Sequence, residues 1–350
     1  MCELDRTHHI LATPNRERDI IDFGYSSRNL RPVASSAGGA GRGTSDLNED
    51  KGMNHSVSRR AMIQTAAALP LAATSAAPLL PTVKLGKFEI TRLIIGSNTF
   101  NGYAYSLPSL EQHMKEWFTA ENVGRTLGLA EQNGINTHQF SYMPDAIEKF
   151  QRFQAGGGKL QWLLLGGGIM KDDLSLIPRV AKLGPMGIVH HGGVTDQRFR
   201  AGEHGKVQEF LKRVRDSGVL VGMSSHLPEN IAYAEEHAWD VDFYMTCFYQ
   251  FSRGKDQIKK MLGEMPVGTV FLEGDPARMC KVIRATTKPC LAFKILAAGR
   301  AAERREGLEQ AFRFAFDNIK PSDAVIVGMY PRFKDEVKEN AGIVRRLLPT

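Results

Sequence analysis

The chain has 350 residues, 42% hydrophobic and 24% charged, with a formal net charge of +7. These proportions suit a globular protein with a sizeable core. The positive charge is spread over many segments instead of one basic run, which argues against a nucleic-acid surface. No run of about 20 uncharged apolar residues offers a stable membrane anchor.

Residues 1–52 are polar and aperiodic and include the small-residue stretch Ser35–Gly43, so they read as a disordered extension. Met53 then opens an n-region of ordinary length, and we expect it to be the true start, with residues 1–52 a start-site artefact. Ser58-Arg59-Arg60-Ala61-Met62-Ile63-Gln64 resembles a twin-arginine motif, followed by a short Ala-rich run, Ala66–Ala73, and small residues at Thr74–Ala77. Residues 53–82 are therefore expected to be an export signal. Its partner would be the twin-arginine translocon and its destination the periplasm or beyond.

From residue 83 to 350, short β-rich apolar runs alternate with longer amphipathic stretches, which predicts repeated βα units. The expected strands are Thr91–Gly96, Gly134–Phe140, Leu160–Leu165, Gly187–His190, Val219–Met223, Val241–Phe248, Leu291–Ile295 and Ala324–Val327. Helices are expected at Glu121–Gln132, Lys206–Asp216, Pro228–His237, Gln257–Leu262, Pro276–Ala285, Arg304–Phe316 and Phe333–Leu347. Eight strands separated by helices close into a single (β/α)8 barrel without unpaired edges. An open doubly wound sheet is the alternative, but no strand leads through G-x-G-x-x-G into a helix. Val270–Leu272 reads as a short insertion strand between the sixth and seventh strands. Of the four cysteines, Cys2, Cys247, Cys280 and Cys290, none has metal-knuckle spacing, and Cys247 and Cys290 sit in apolar runs as buried thiols.

Several stretches resemble the aldo/keto reductase superfamily, itself a family of (β/α)8 barrels. Leu85–Gly96 is similar to its opening hairpin and first strand, Gly134–Thr137 to its second, Ile188–His190 to its fourth, and Asp242–Gln250 to its sixth. Ala324–Met329 with Glu336–Asn340 resembles the last strand and cofactor loop. The resemblance implies a catalytic tetrad of Asp, Tyr, Lys and His, of which only His190 is matched. Gln139 stands at the aspartate position, Pro144 at the tyrosine, and Gly166-Gly167-Gly168 where the lysine belongs. NADP(H) is the implied cofactor, with Arg332 and Lys334 positioned for its 2′-phosphate.

Barrel enzymes build their sites at the C-terminal strand ends. Those ends supply His190, His226 and Lys294 as catalytic residues, and Asn98, His138, Gln139, Tyr249 and Arg300 as substrate-binding ones. Imidazoles serve as acid, base or metal ligand, and a divalent metal would draw on His190, His226 and Glu273. Lys294, a charge inside an apolar strand, suits a Schiff base or a carbonyl-binding role. His190 is expected to face the mouth and His191 to join the following loop. The chemistry read from these residues is acid/base or metal-assisted turnover of a small polar, carbohydrate-derived substrate by a lyase, isomerase or hydrolase. An exported NADP(H)-dependent oxidoreductase and a non-catalytic ligand-binding barrel are the alternatives.

Overall fold

The computed structural model describes residues 77–349. The extension at 1–52 and the Arg59-Arg60 segment lie outside the described residues. The described chain opens with an antiparallel hairpin, β1 (Thr82–Leu85) and β2 (Phe88–Thr91), turning through Gly86 at a φ of 57° that favours glycine. Eight parallel strands follow: β3 (Leu93–Gly96), β4 (Thr137–Ser141), β5 (Gln161–Gly166), β6 (Gly187–His190), β7 (Leu220–Ser225), β8 (Phe243–Cys247), β9 (Cys290–Phe293) and β10 (Ala324–Gly328). They close in the order β10-β3-β4-β5-β6-β7-β8-β9, so every edge is paired. The chain is a (β/α)8 barrel.

The helices are α1 (Pro108–Trp117), α2 (Ala120–Gln132), α3 (Pro144–Ala155), α4 (Leu176–Ala181), α5 (Gly192–Arg200), α6 (His204–Asp216), α7 (Pro228–Glu236), α8 (Lys255–Leu262), α9 (Asp275–Ala285), α10 (Arg305–Asn318) and α11 (Glu336–Leu347). The expected insertion strand at Val270–Leu272 does not form; that stretch is irregular chain leading into α9. Residues 77–82, expected to close the signal, pack on the barrel: Leu80 is buried, Leu80 N–H donates to Gly134 O, and β1 begins at Thr82.

Two apolar layers follow from the alternation of strand side chains. Ile94, Leu163, Val189, Phe243, Met245, Leu291 and Ile326 fill the barrel interior, sealed at the N-terminal end by Leu85 and Ile90 of the hairpin. Ile95, Leu164, Ile188, Met223, Tyr244, Ala292 and Val325 point the other way and pack against the helices. Gly222 belongs to the interior set; a Cβ there would lie 2.6 Å from Phe243 and 2.8 Å from Val189, so the missing side chain lets both fill the axis. This alternation decides which polar strand residues reach the mouth.

Candidate active site

The C-terminal mouth holds a buried carboxylate–imidazole pair. α5 starts directly after β6, which places Asp196 one turn into the helix and fully buried beside the end of β7. Its carboxylate accepts from His226 Nδ1 at 2.7 Å, Ser225 Oγ at 2.6 Å, Ser252 Oγ at 2.6 Å and Asn230 Nδ2 at 3.0 Å. Burial by itself would raise the Asp196 pKa. The charge of His226 and the hydrogen bonds from His226, Ser225 and Ser252 outweigh it and hold the group below the usual carboxylate range. A carboxylate only accepts, so His226 Nδ1 carries the proton, and Nε2 is left without a partner among the described residues. That is the tautomer and orientation a general base requires.

Lys294 stands just past β9 with φ at 59°, in the left-handed region that β-strand continuation forbids. Its Nζ lies 4.1 Å from the ring centre of Tyr105, 4.8 Å from Phe251 and 5.5 Å from Phe293, and donates to Tyr105 Oη at 3.1 Å. No carboxylate pairs with it among the described residues, so ring faces are its counter-charge. Tyr105, in the loop after β3, is also left-handed at φ 54°; Arg300 holds this turn by donating to Tyr105 O at 2.8 Å. Two strained residues meeting across the mouth mark a conformation the fold maintains at a cost of about 1–3 kcal/mol each. His226 joins the same aromatic wall, its ring 4.2 Å from Phe251 and 5.7 Å from Phe293.

His191 completes the group. Its ring lies against Gly167 at the end of β5, and its Nδ1 is buried with no partner. Burial, reinforced by the charges of His226, Lys294 and Lys171, pushes its pKa down to about 4, so it is neutral at physiological pH. Cys247 faces the interior beneath; burial pushes its thiol up to about 12, with Lys294 opposing, so it is no nucleophile.

The alternation corrects two expected mouth residues. His190 falls on the helix side of β6: its ring is 4.8 Å from Phe210 and its Nδ1 shares a 2.7 Å hydrogen bond with Thr195 Oγ1. His138 likewise packs outward against Phe140 and Phe150, donating from Nδ1 to Ile95 O at 2.9 Å. Burial depresses the pKa of His190 to about 3 and of His138 to about 4, which makes them neutral core residues. Gln139, paired with Leu163 of the interior set, faces inward. Asn98 stands half-buried in the turn after β3, accepting from Tyr103 N–H at its carbonyl. Tyr249 packs on Phe271 of the insertion, 5.1 Å away, and Arg300 stacks over that ring at 4.2 Å besides holding Tyr105.

The proposed metal set does not converge. His190 faces the helices, Glu273 is exposed in the turn before α9, and among the described residues no three His, Cys, Asp or Glu are grouped to share an ion. The phosphate end does not fit its ligand either. Lys334 is exposed and paired with Glu339 at 2.7 Å, and Arg332 is exposed beside Phe333. The first turn of α11 is already capped by Asp335 and carries Glu336 and Glu339, carboxylates where a phosphate would sit. The start of α11 thus offers no free basic cradle for the 2′-phosphate of NADP(H).

Asp196 and Tyr105 were not legible as site residues. Asp196 reads as an ordinary helix charge, and only a buried position one turn after His191-Gly192-Gly193 gives it away. Tyr105 lies in an aperiodic loop.

No family model matches the sequence, and no curated protein matches it either. Similar solved structures include a glycerol dehydrogenase from Gluconobacter oxydans, at 14% identity and a TM-score of 0.42 over 77% of this chain and 96% of that one. A truncated 3-deoxy-D-arabino-heptulosonate 7-phosphate synthase from Thermotoga maritima is also similar, at 14% identity and 0.46 over 77% and 91%. So is a thermostable aldo-keto reductase, at 12% and 0.45 over 76% and 94%.

Proposed function

We propose that this chain is a barrel enzyme that moves a proton on a small polar carbonyl compound, by chemistry of the lyase or isomerase type. One observation carries the reading: the Asp196-oriented ring of His226 and the ammonium of Lys294 flank the same phenyl ring of Phe251, at 4.2 and 4.8 Å. His226 Nε2 takes the proton from the carbon next to the carbonyl, and the electron pair passes to the carbonyl oxygen. Lys294 Nζ and the Tyr105 hydroxyl donate to that oxygen as it becomes negative. Lys294 already donates to Tyr105 Oη, which frees the phenolic proton for the substrate. Phe251, Phe293 and Tyr105 exclude water and strengthen these interactions. Reprotonation of the same or the neighbouring carbon by His226 completes an isomerisation; loss of a β-substituent completes an elimination. In this reading Tyr–Lys proton donation comes from loops other than those of the reductase pattern.

The test is hydrogen exchange in D2O, followed by proton NMR over a panel of 2-oxo acids, hydroxyaldehydes and ketoses. Wild type should exchange the proton next to the carbonyl. His226→Gln should lose about a hundredfold or more of the rate, the usual scale of general-base catalysis. Borohydride in the presence of an active compound separates two roles of Lys294: a reduced adduct on Lys294 marks a Schiff base, its absence a hydrogen-bonding ammonium. Absence of exchange across the panel would count against the proposal and favour a binding barrel.

A further inference from the structure

The first turn of α5 opens onto the same mouth. The backbone N–H groups of Gly192, Gly193 and Val194 have no hydrogen-bond partner among the described residues, and His191 caps the helix without a side-chain bond. These amides carry the positive end of the helix dipole. Ser224, on β7, stands 1% exposed, with an Oγ that has no partner. It is aimed at this turn: a Cβ on Gly192 would lie 2.9 Å from Ser224 Oγ and 3.2 Å from His226 Cε1. A Cβ on Gly193 would lie 3.3 Å from His191 Cε1, and His191 Nδ1 is itself buried and unpartnered. The two glycines thus bare the amides towards two side chains whose polar atoms are unsatisfied. Such groups are costly to bury unless a ligand completes them.

We propose that the first turn of α5, with Ser224 and His191, binds an anionic group of the substrate, a carboxylate or a phosphate. Its oxygens would accept from the Gly192 and Gly193 amides, from Ser224 Oγ–H and from the neutral imidazole of His191. Asp196 opposes an anion here, but its charge is spread over His226, Ser225, Ser252 and Asn230, and Lys294 supplies a compensating cation. The substrate class narrows accordingly. The molecule is a small carbonyl compound bearing a carboxylate or phosphate, anchored so that the carbon next to its carbonyl lies by His226. This assignment of substrate rests on the proton-transfer reading; the anion site does not.

The experiment titrates the whole barrel, with its histidines labelled by nitrogen-15, with sodium acetate and separately with inorganic phosphate, at constant ionic strength. The expected result is saturable movement of the His191 and His226 resonances, with the tighter of the two anions identifying the group. Ser224→Ala should weaken that binding about tenfold, the worth of one hydrogen bond to a charged group, while leaving the melting temperature unchanged because the hydroxyl bonds nothing in the protein. Gly192→Ala should weaken it comparably. Unmoved resonances up to about 50 mM of both anions, well above any specific millimolar site, would overturn the proposal. So would Ser224→Ala binding as wild type does. Exchange activity persisting without anion binding would remove this site and leave the proton-transfer reading standing.

Discussion

Acidification offers a test of the core that depends on no substrate. His138 and His190 are buried on the helix side of the barrel, and desolvation holds their folded pKa values at about 4 and about 3, against an ordinary 6.5. A folded-state histidine pKa below the unfolded one means that the unfolded chain takes up the proton first. The stability these residues provide is complete above about pH 6.5 and is lost as pH falls towards the folded values. At pH about 4.5 each costs about 2–3 kcal/mol relative to neutral pH, on the order of 5 kcal/mol for the pair. That is a large part of the about 5–15 kcal/mol that keeps a domain folded. The assay is urea denaturation, followed by tryptophan fluorescence, at intervals between pH 7 and 4.5. Wild type, His138→Gln, His190→Gln and the double variant are compared by slope against pH, so that packing losses common to all pH values cancel. Each substitution should remove about one proton from the slope, or about 1.4 kcal/mol per pH unit between pH 6 and 5. Equal slopes in wild type and double variant would refute the burial of neutral imidazoles in these two places.

Two further outcomes follow from other parts of the chain. Arg253 and Asp275 form a buried pair, with Arg253 Nη1 2.9 Å from Asp275 Oδ2, that ties together the two ends of the insertion carrying α8. Asp275→Ala should cost about 3–5 kcal/mol by stranding the guanidinium, and Arg253→Met with Asp275→Leu should recover much of it, both read by denaturation. If Arg59-Arg60 is an export signal, replacing both with Lys should retain the protein in the cytoplasm, as fractionation and immunoblotting would show; undiminished export would dismiss the signal.

The barrel was legible because its evidence is repeated. Eight apolar runs at regular intervals survive errors of two or three residues at each end, and all eight appear as strands. The site was less legible because it turns on a single residue of register. Gly187-Ile188-Val189-His190 is apolar on both faces, as parallel strands buried on both sides are. Nothing within that strand says whether Ile188 or Val189 faces the axis. Val189 does, so His190 turns outward and His191, the next residue, reaches the mouth. His226 and Lys294 come to the mouth because each follows its strand instead of lying within it. Their hydrogen-bond partners, Asp196 and Tyr105, come from a helix and a loop, where no periodicity ties a residue to its neighbours in space.

The hairpin plug has a consequence for traffic. Leu85 and Ile90 close one end of the barrel, which leaves the opposite end as its open one. The chain itself arrives at the closed end, where Ala77 N–H donates to Gln132 O at the foot of α2. Anything that occupies the barrel therefore enters and leaves by one doorway, at the strand ends that carry His226 and Lys294.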